Sequence, residues 1–465
     1  MAVASESAGI VGVLPLGRPT FDVAFAREKL AAMLAALERA GISTIGLNEL
    51  LFDADATRAA LDDLERQSPD RILVLQVTFT DAGMVAEAAS RFAQPLAIWA
   101  IPEPRIGGRL RLNSLCGLNL AAHALGLRRR EFGWLHASPD APDIAADLTE
   151  LLSGDRDTRP VPLAAPAAAP NRKSVIAGAR LARIGRHPDG FDTCAYDIKA
   201  LHDLAGVTVA PIELPELFSM AAAVGEAETT TIRREAEAVA GSLDSVDQEQ
   251  LGKSLRLKSA LDTIRRDGGY DAMAIRCWPE AFTEYGGAVC GPVGLMGERK
   301  VPCACEADVY GALSSLLLQC VADAPVFLAD LVDVDTADDT AVVWHCGQAP
   351  ASMADPDQER SATIHTNRKM PLLFEFPLKP GRVTFFRISQ ARGETFAVVG
   401  GGEMLARPKA FTGTSGVVRF DSGAEAALDT IMNAALEHHL ALAYGDHVSG
   451  LEQAAADLGI PILRL

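Results

Sequence analysis

The sequence predicts an α/β protein: two doubly wound parallel-sheet (Rossmann-like) domains, then a β-rich, barrel-like domain with a C-terminal helix. Three observations carry this prediction. Short apolar runs alternate with amphipathic helical stretches over residues 8–153 and again from 173 to about 338, the pattern of βα repeats around a buried parallel sheet. After about residue 338 the runs are β-rich and punctuated by Gly and Pro, as in an antiparallel barrel or sandwich. Between the first two regions, SGDRDTRPVPLAAPAAAPNRK is rich in Pro and Ala and reads as an extended linker.

In the first domain (1–155), GIVGVLPL, STIGL, RILVLQVTF, PLAIWAIP and FGWLHA suit buried parallel strands. FDVAFAREKLAAMLAALERAG and DAGMVAEAASRFA are helical stretches between them. The linker covers 156–172. The second domain (173–338) opens with SVIAGARLARIG and GVTVAPIEL, followed by a long polar helical section near 215–267 and the strand DAMAIRCWP. It closes with VPCAC and APVFLADL on either side of a helix, which reads as a βαβ unit with parallel strands. In the third domain (339–465), MPLLFEF, RVTFFRISQ, TFAVVGG and GVVRF are strands. AEAALDTIMNAALEHHLALAYG then reads as one long helix, and a short helix and the strand GIPILRL end the chain.

Composition narrows the function classes. Of 465 residues, 49% are hydrophobic and 22% charged, the balance of a globular chain with real cores, which excludes a disordered chain, a collagen and a coiled coil. The formal charge, 43 − 61 = −18, disfavours nucleic acid and anionic membrane as partners. No uncharged stretch approaches a membrane span and no basic segment precedes an apolar run at the start. Eight cysteines lie scattered in apolar contexts and read as reduced thiols, so a cytoplasmic location is expected.

Chemistry concentrates in VPCACEADVYGALSSLLLQCVADAPVFLAD. Glu306 follows one strand and Asp330 ends the next, and ligands of open α/β sheets bind beyond the strands' carboxyl ends. Both carboxylates are expected on one edge, within reach of a single cation; the plainer alternative is that Glu306 or Asp308 complements a helix N-terminus. His438 and His439 sit near the end of the expected long helix, where at most one of two adjacent side chains faces a given site. RCWPE, with Arg276, Trp278 and Glu280 at a strand mouth, suits a polyhydroxylated ligand. GPVGLMG lacks a GxGxxG fingerprint and Cys303-x-Cys305 lacks a second pair at zinc spacing. Cys346 beside His345 on a strand does not make a Cys–His nucleophile, because adjacent side chains point to opposite faces. Arg105, Arg109 and Arg111 form a small basic cluster able to meet an anionic substrate.

These stretches together resemble the L-fucose/L-arabinose isomerase family, in particular its L-fucose isomerase branch. CACEADVYGAL is similar to the family's metal motif, with its Glu directly after a strand; FLAD places Asp330 24 positions after Glu306, the family's interval. His439, Gly445 and GIPIL fit the frame of the third ligand, and RCWPE resembles the segment upstream of the first. The chain is shorter than typical fucose isomerases.

The resemblance implies Glu306, Asp330 and His439 as ligands of Mn²⁺ or another divalent cation, with Glu306 and Asp330 also as the acid/base pair. It implies an aldose–ketose isomerase working through a cis-enediol(ate), in which the cation polarises the carbonyl. It also implies a homo-oligomer, trimer or hexamer, in which a neighbouring subunit's first domain caps the pocket and brings Trp99, Arg105 or Asn113 to substrate. Arg276, Trp278, Glu280 and His345 complete the candidate substrate contacts. Two alternatives stand beside a neutral sugar: the same chemistry on an anionic sulfo- or phospho-sugar, and a non-catalytic sugar-binding module.

Overall fold

Strands β1 (Val11–Leu16), β2 (Thr44–Gly46), β3 (Arg71–Gln76), β4 (Leu96–Ala100) and β5 (Gly133–His136) form the first sheet in the order β2-β1-β3-β4-β5, all parallel. The computed structural model describes residues 9–166 and 173–465, so the end of the expected linker, 167–172, lies outside the described residues. Helices α1 (Val23–Arg39), α2 (Ala54–Gln67), α3 (Gly83–Arg91), α4 (Ser114–Leu127) and α5 (Ile144–Ser153) cover this sheet. The first shows why: Asp22 caps it by accepting from the Phe25 N–H at 3.1 Å, and Ala26, Leu30, Met33 and Leu37 recur at helical spacing to form its buried stripe. By contrast α4 is buried on nearly every side, because it also packs against the third domain. There Asn119 Nδ2 donates to the Leu436 carbonyl at 2.8 Å.

The second sheet is also parallel, in the order β7-β6-β8-β9, from β6 (Arg180–Ile184), β7 (Thr208–Ile212), β8 (Ala272–Ile275) and β9 (Cys303–Ala304). Its helices are α6 (Ile198–Ala205), α7 (Leu214–Ala223), α8 (Glu226–Val239), α9 (Gln248–Gly268), α10 (Cys290–Glu298) and α11 (Val309–Ala322). The polar helical section near 215–267 consists of three helices, broken at Val224–Gly225 and at Ala240–Asp247.

The third sheet contains β10 (Phe327–Asp335), β11 (Thr340–His345), β12 (Ser361–Thr363), β13 (Leu373–Pro377), β14 (Gly381–Ser389), β15 (Phe396–Met404), β16 (Thr414–Phe420), β17 (His439–Tyr444) and β18 (Ile462–Arg464). Strands β16-β11-β10-β17-β14-β15 run antiparallel, and β15 pairs back onto β16, closing a six-stranded barrel. Helices α12 (Ala424–Ala434) and α13 (Val448–Leu458) flank β17.

Two expectations are corrected here. The strand carrying Asp330 is a barrel strand, antiparallel to both neighbours, and not the partner of VPCAC in a parallel βαβ unit. A short apolar run does not reveal its pairing partner, and here a tight hairpin from Asp335 to Thr340 captures it for the barrel. The segment expected as one long helix ends at Ala434; Ala435 turns left-handed at φ 55°, and HLALAY becomes β17. Tertiary pairing between β10 and β14 overrides the helical propensity of an Ala/Leu-rich run.

Candidate active site

All three domains meet at a cleft of about 850 Å³, open solvent at its mouth included. The first domain contributes Arg18, Phe79 and Asn113, the second Trp278 and Glu306, and the third, which takes in the barrel strand β10 and so begins before residue 339, Asp330, His345, Arg368 and His438. The first-domain residues that line this cleft belong to the same chain as the rest of it.

Backbone register brings the chemistry together. Asp330 on β10 lies directly opposite His439 on β17, and cross-strand partners present their side chains on the same face. His439 Nε2 is 3.4 Å from Asp330 Oδ1 and 3.8 Å from Glu306 Oε2. Glu306 follows β9 with φ 58°, and Ala307 with φ 55°. Two consecutive non-glycine residues in the left-handed region are backbone strain held by the surrounding fold. Trp278 Nε1 donates to Glu306 Oε1 at 3.0 Å, and His438 Nε2 lies 2.9 Å from Oε2.

His438 and His439 both face the site, with ring centroids 3.9 Å apart. The expectation that only one of them does so assumed a helix. His438 precedes β17, so neither helical nor strand geometry separates the two rings.

Behind them sits Asp308. It caps α11 by accepting from the Gly311 N–H at 2.8 Å, meets Arg387 Nη1 at 2.8 Å, and lies 2.9 Å from His439 Nδ1. A Cβ at Gly311 would stand 2.4 Å from Asp308 Oδ2, so the glycine of the CEADVYG stretch keeps room for this carboxylate. A carboxylate on one ring nitrogen fixes the tautomer and leaves the other nitrogen as a ligand.

Electrostatics separates the two carboxylates of the cleft. Burial pushes Asp330 up to about 7, opposed by His439 and reinforced by Glu306. Burial also opposes ionisation of Glu306, but the His438 hydrogen bond, the charges of both histidines and the Trp278 N–H bring it down to about 2. Burial holds His345 neutral, at about 3.

Two overlapping sets of ligating atoms each lie within 4.8 Å of one another: Cys194, Glu306, His438 and His439, and Asp330, His345 and His439. In the second set Asp330 Oδ1, His345 Nε2 and His439 Nε2 are buried without a hydrogen-bond partner among the described residues. Buried polar atoms are costly to leave unpaired, and carboxylate and imidazole donors suit a divalent cation.

Other expected residues lie elsewhere. Trp99 is fully buried in the first core, with Nε1 donating to the Ala137 carbonyl at 3.0 Å. Arg105 pairs with Asp333 at 2.6 Å across the contact between first and third domains. Arg276 and Glu280 pair with each other at 2.6 Å, and Arg276 also donates to the His187 carbonyl, so neither lines the cleft. Trp278, His345 and Asn113 do line it. The sequence alone does not place His438, Arg18 and Arg368 at the cleft, or Arg387 behind it. For Arg387, a charge inside the apolar strand VTFFRIS was the available signal; for Arg18 and Arg368 there was none.

Comparisons with known proteins agree with this geometry. Residues 12–158 match "Fucose/sulfoquinovose isomerase, N-terminal domain" and residues 343–464 match "L-fucose isomerase, C-terminal domain". The chain is 30% identical to sulfoquinovose isomerase of Priestia megaterium over 93% of this chain and 94% of that protein. It is likewise 30% identical to sulfoquinovose isomerases of Clostridium sp., over 94% of each chain, and of Alkalicoccus urumqiensis, over 97% of this chain and 98% of that protein. With both domains matched and relatives aligned along nearly its whole length, this chain belongs to the L-fucose/L-arabinose isomerase family and is a metal-dependent sugar isomerase.

Proposed function

We propose that this protein interconverts sulfoquinovose, a glucose in which a sulfonate replaces the C6 hydroxyl, and the corresponding 2-ketose. The relatives' substrate supports the choice of sugar. The observation that carries the chemistry is the meeting of Glu306 and Asp330 at His439, whose Nε2 is left without a hydrogen-bond partner among the described residues. In this reading Glu306, Asp330 and His439 hold a divalent cation such as Mn²⁺. When bound, the cation supplies Lewis-acid polarisation of the sugar's carbonyl and neighbouring hydroxyl oxygens.

The chain's own groups move the protons. Glu306 and Asp330 form the acid/base pair, removing a proton from the carbon beside the carbonyl and returning one to the other carbon of a cis-enediol(ate). Trp278 N–H and His438 hold Glu306 in place, and the β10–β17 register holds Asp330. Asp308 orients His439, while Trp278, His345 and Asn113 contact the substrate. Eight unbridged cysteines suit a reducing compartment, and a cytoplasmic homo-oligomer completes the reading.

The test uses metal-stripped protein in D₂O with sulfoquinovose and a panel of neutral aldoses, with and without Mn²⁺, followed by NMR. Metal-dependent ketose carrying deuterium at C1 or C2 is expected. Ketose without label replaces solvent-exchanging proton transfer with a shielded proton or hydride shift, and no turnover of any sugar overturns the reading.

A further inference from the structure

We propose that Arg18 and Arg368 form a subsite for the terminal oxyanion of the sugar, one indole ring away from the acid/base pair. The inference rests on the reading that the cleft takes a sugar, and it assigns the residues that recognise its charged end. Both guanidinium groups flank Trp278, with Arg18 Cζ 5.2 Å and Arg368 Cζ 5.7 Å from its ring. The same indole donates its N–H to Glu306. Trp278 thus touches the catalytic carboxylate at one point and two cations at others, which suits a sugar whose reacting carbons and charged terminus lie at different ends of one short chain.

The two arginines are unequally satisfied. Arg18 is bound by Asp81 at 3.2 Å. Arg368, half-buried, has no side-chain hydrogen bond or ion pair among the described residues. Burial lowers the pKa of Arg18, and the nearby charge of Arg368 lowers it further. Asp81 and the nearby charge of Glu306 offset Arg18, whereas the guanidinium of Arg368 is left without a paired carboxylate among the described residues, and an incoming oxyanion would supply one through charge-assisted, forked hydrogen bonds.

The surroundings hold this arrangement ready. His365 Nδ1 accepts the backbone N–H groups of Asn367 at 3.2 Å and Arg368 at 3.3 Å, shaping the turn that presents Arg368. Arg109 Nη2 donates both to Asn367 Oδ1 at 2.9 Å and to the Thr20 carbonyl at 3.1 Å. This ties the third domain's turn to the first domain's Arg18–Thr20 loop, so the subsite is split between two domains and needs both.

The experiment compares wild type, Arg18→Gln, Arg368→Gln and the double variant as full-length, metal-loaded protein. Titration calorimetry uses three probes: sulfoquinovose, glucose 6-phosphate and glucose. Each Gln variant is expected to weaken sulfoquinovose about 10- to 100-fold, to narrow the preference over glucose, and to flatten the dependence of Kd on ionic strength. In turnover, KM for the anionic sugar should rise more than kcat falls. If a Gln variant fails to fold, Arg368→Lys keeps the charge but not the fork and should bind between wild type and the loss expected for Gln.

An unchanged Kd for sulfoquinovose in the folded double variant, or no preference of wild type for either anion over glucose, overturns the subsite even where metal-dependent turnover persists. Arginine-dependent binding without any turnover sustains the subsite and sinks the isomerase reading instead. Tighter Arg-dependent binding of glucose 6-phosphate than of sulfoquinovose sustains the oxyanion subsite and assigns it to phosphate.

Discussion

Two clusters of buried charge lie back to back across His439, and they differ in how fully their atoms are paired. On the cleft side, Asp330 Oδ1, His345 Nε2 and His439 Nε2 have no hydrogen-bond partners among the described residues. Behind them, Asp308 is held by Arg387, His439 Nδ1 and the Gly311 N–H. Glu437 there accepts from Ser389 Oγ and the Gln390 N–H, both at 2.7 Å, and pairs with Arg387 at 3.3 Å. Burial is similar on both sides, so desolvation alone does not separate them. Compensated buried charge thus builds the scaffold, whereas polarity left open marks where a ligand completes the coordination.

The largest effect should come from the open side. Asp330→Asn is expected to lower kcat about 10²- to 10⁴-fold. The same change should leave the metal-free protein as stable as wild type or more so, because burial already disfavours the Asp330 carboxylate. Steady-state kinetics paired with thermal unfolding in EDTA checks this, and a large drop in Tm would erase the contrast between the two clusters.

The closed side should behave in the opposite way. Arg387→Met strands Asp308 and Glu437 without their cation and should cost about 3–5 kcal/mol of folding stability, measured by urea unfolding. Acid titration sharpens the point. Burial opposes ionisation of Asp308 and Glu437, yet Arg387 and their hydrogen bonds hold both below their ordinary values of 3.8 and 4.5. A depressed folded-state pKa contributes stability that is full above the unfolded value and fades as pH falls below it. Wild type should therefore lose stability on acidification below about pH 4.5. In Arg387→Met the two carboxyls lack that cation, so acidification should cost less or stabilise.

Between the clusters, Asp308→Asn should weaken Mn²⁺ binding about 10- to 100-fold through His439, read as a smaller rise of Tm on adding metal. The smallest effect belongs to a pair outside both clusters. Arg105→Ala should cost about 1–3 kcal/mol with KM unchanged, since its guanidinium joins domains at Asp333 and Thr340 rather than lining the cleft. A raised KM would return Arg105 to the site.

The α/β–α/β–barrel order and the family's two carboxylates are legible in the chain before it folds. Apolar runs of strand length and amphipathic stripes depend on local spacing, and the CEADVYG and FLAD stretches carry their chemistry in contiguous residues. His439 is legible through its frame to Gly445 and GIPIL, although a strand and not the expected helix carries it. Long-range packing sets the rest: β10 joins the barrel, His438 and His439 face one site, and Asp308 and Arg387 support them. Each of these depends on pairing between segments far apart in the chain, such as Asp330 with His439 and Asp308 with Arg387. No local pattern records such a pairing, because hydrophobic periodicity reports which face of an element is buried and not which distant element buries it.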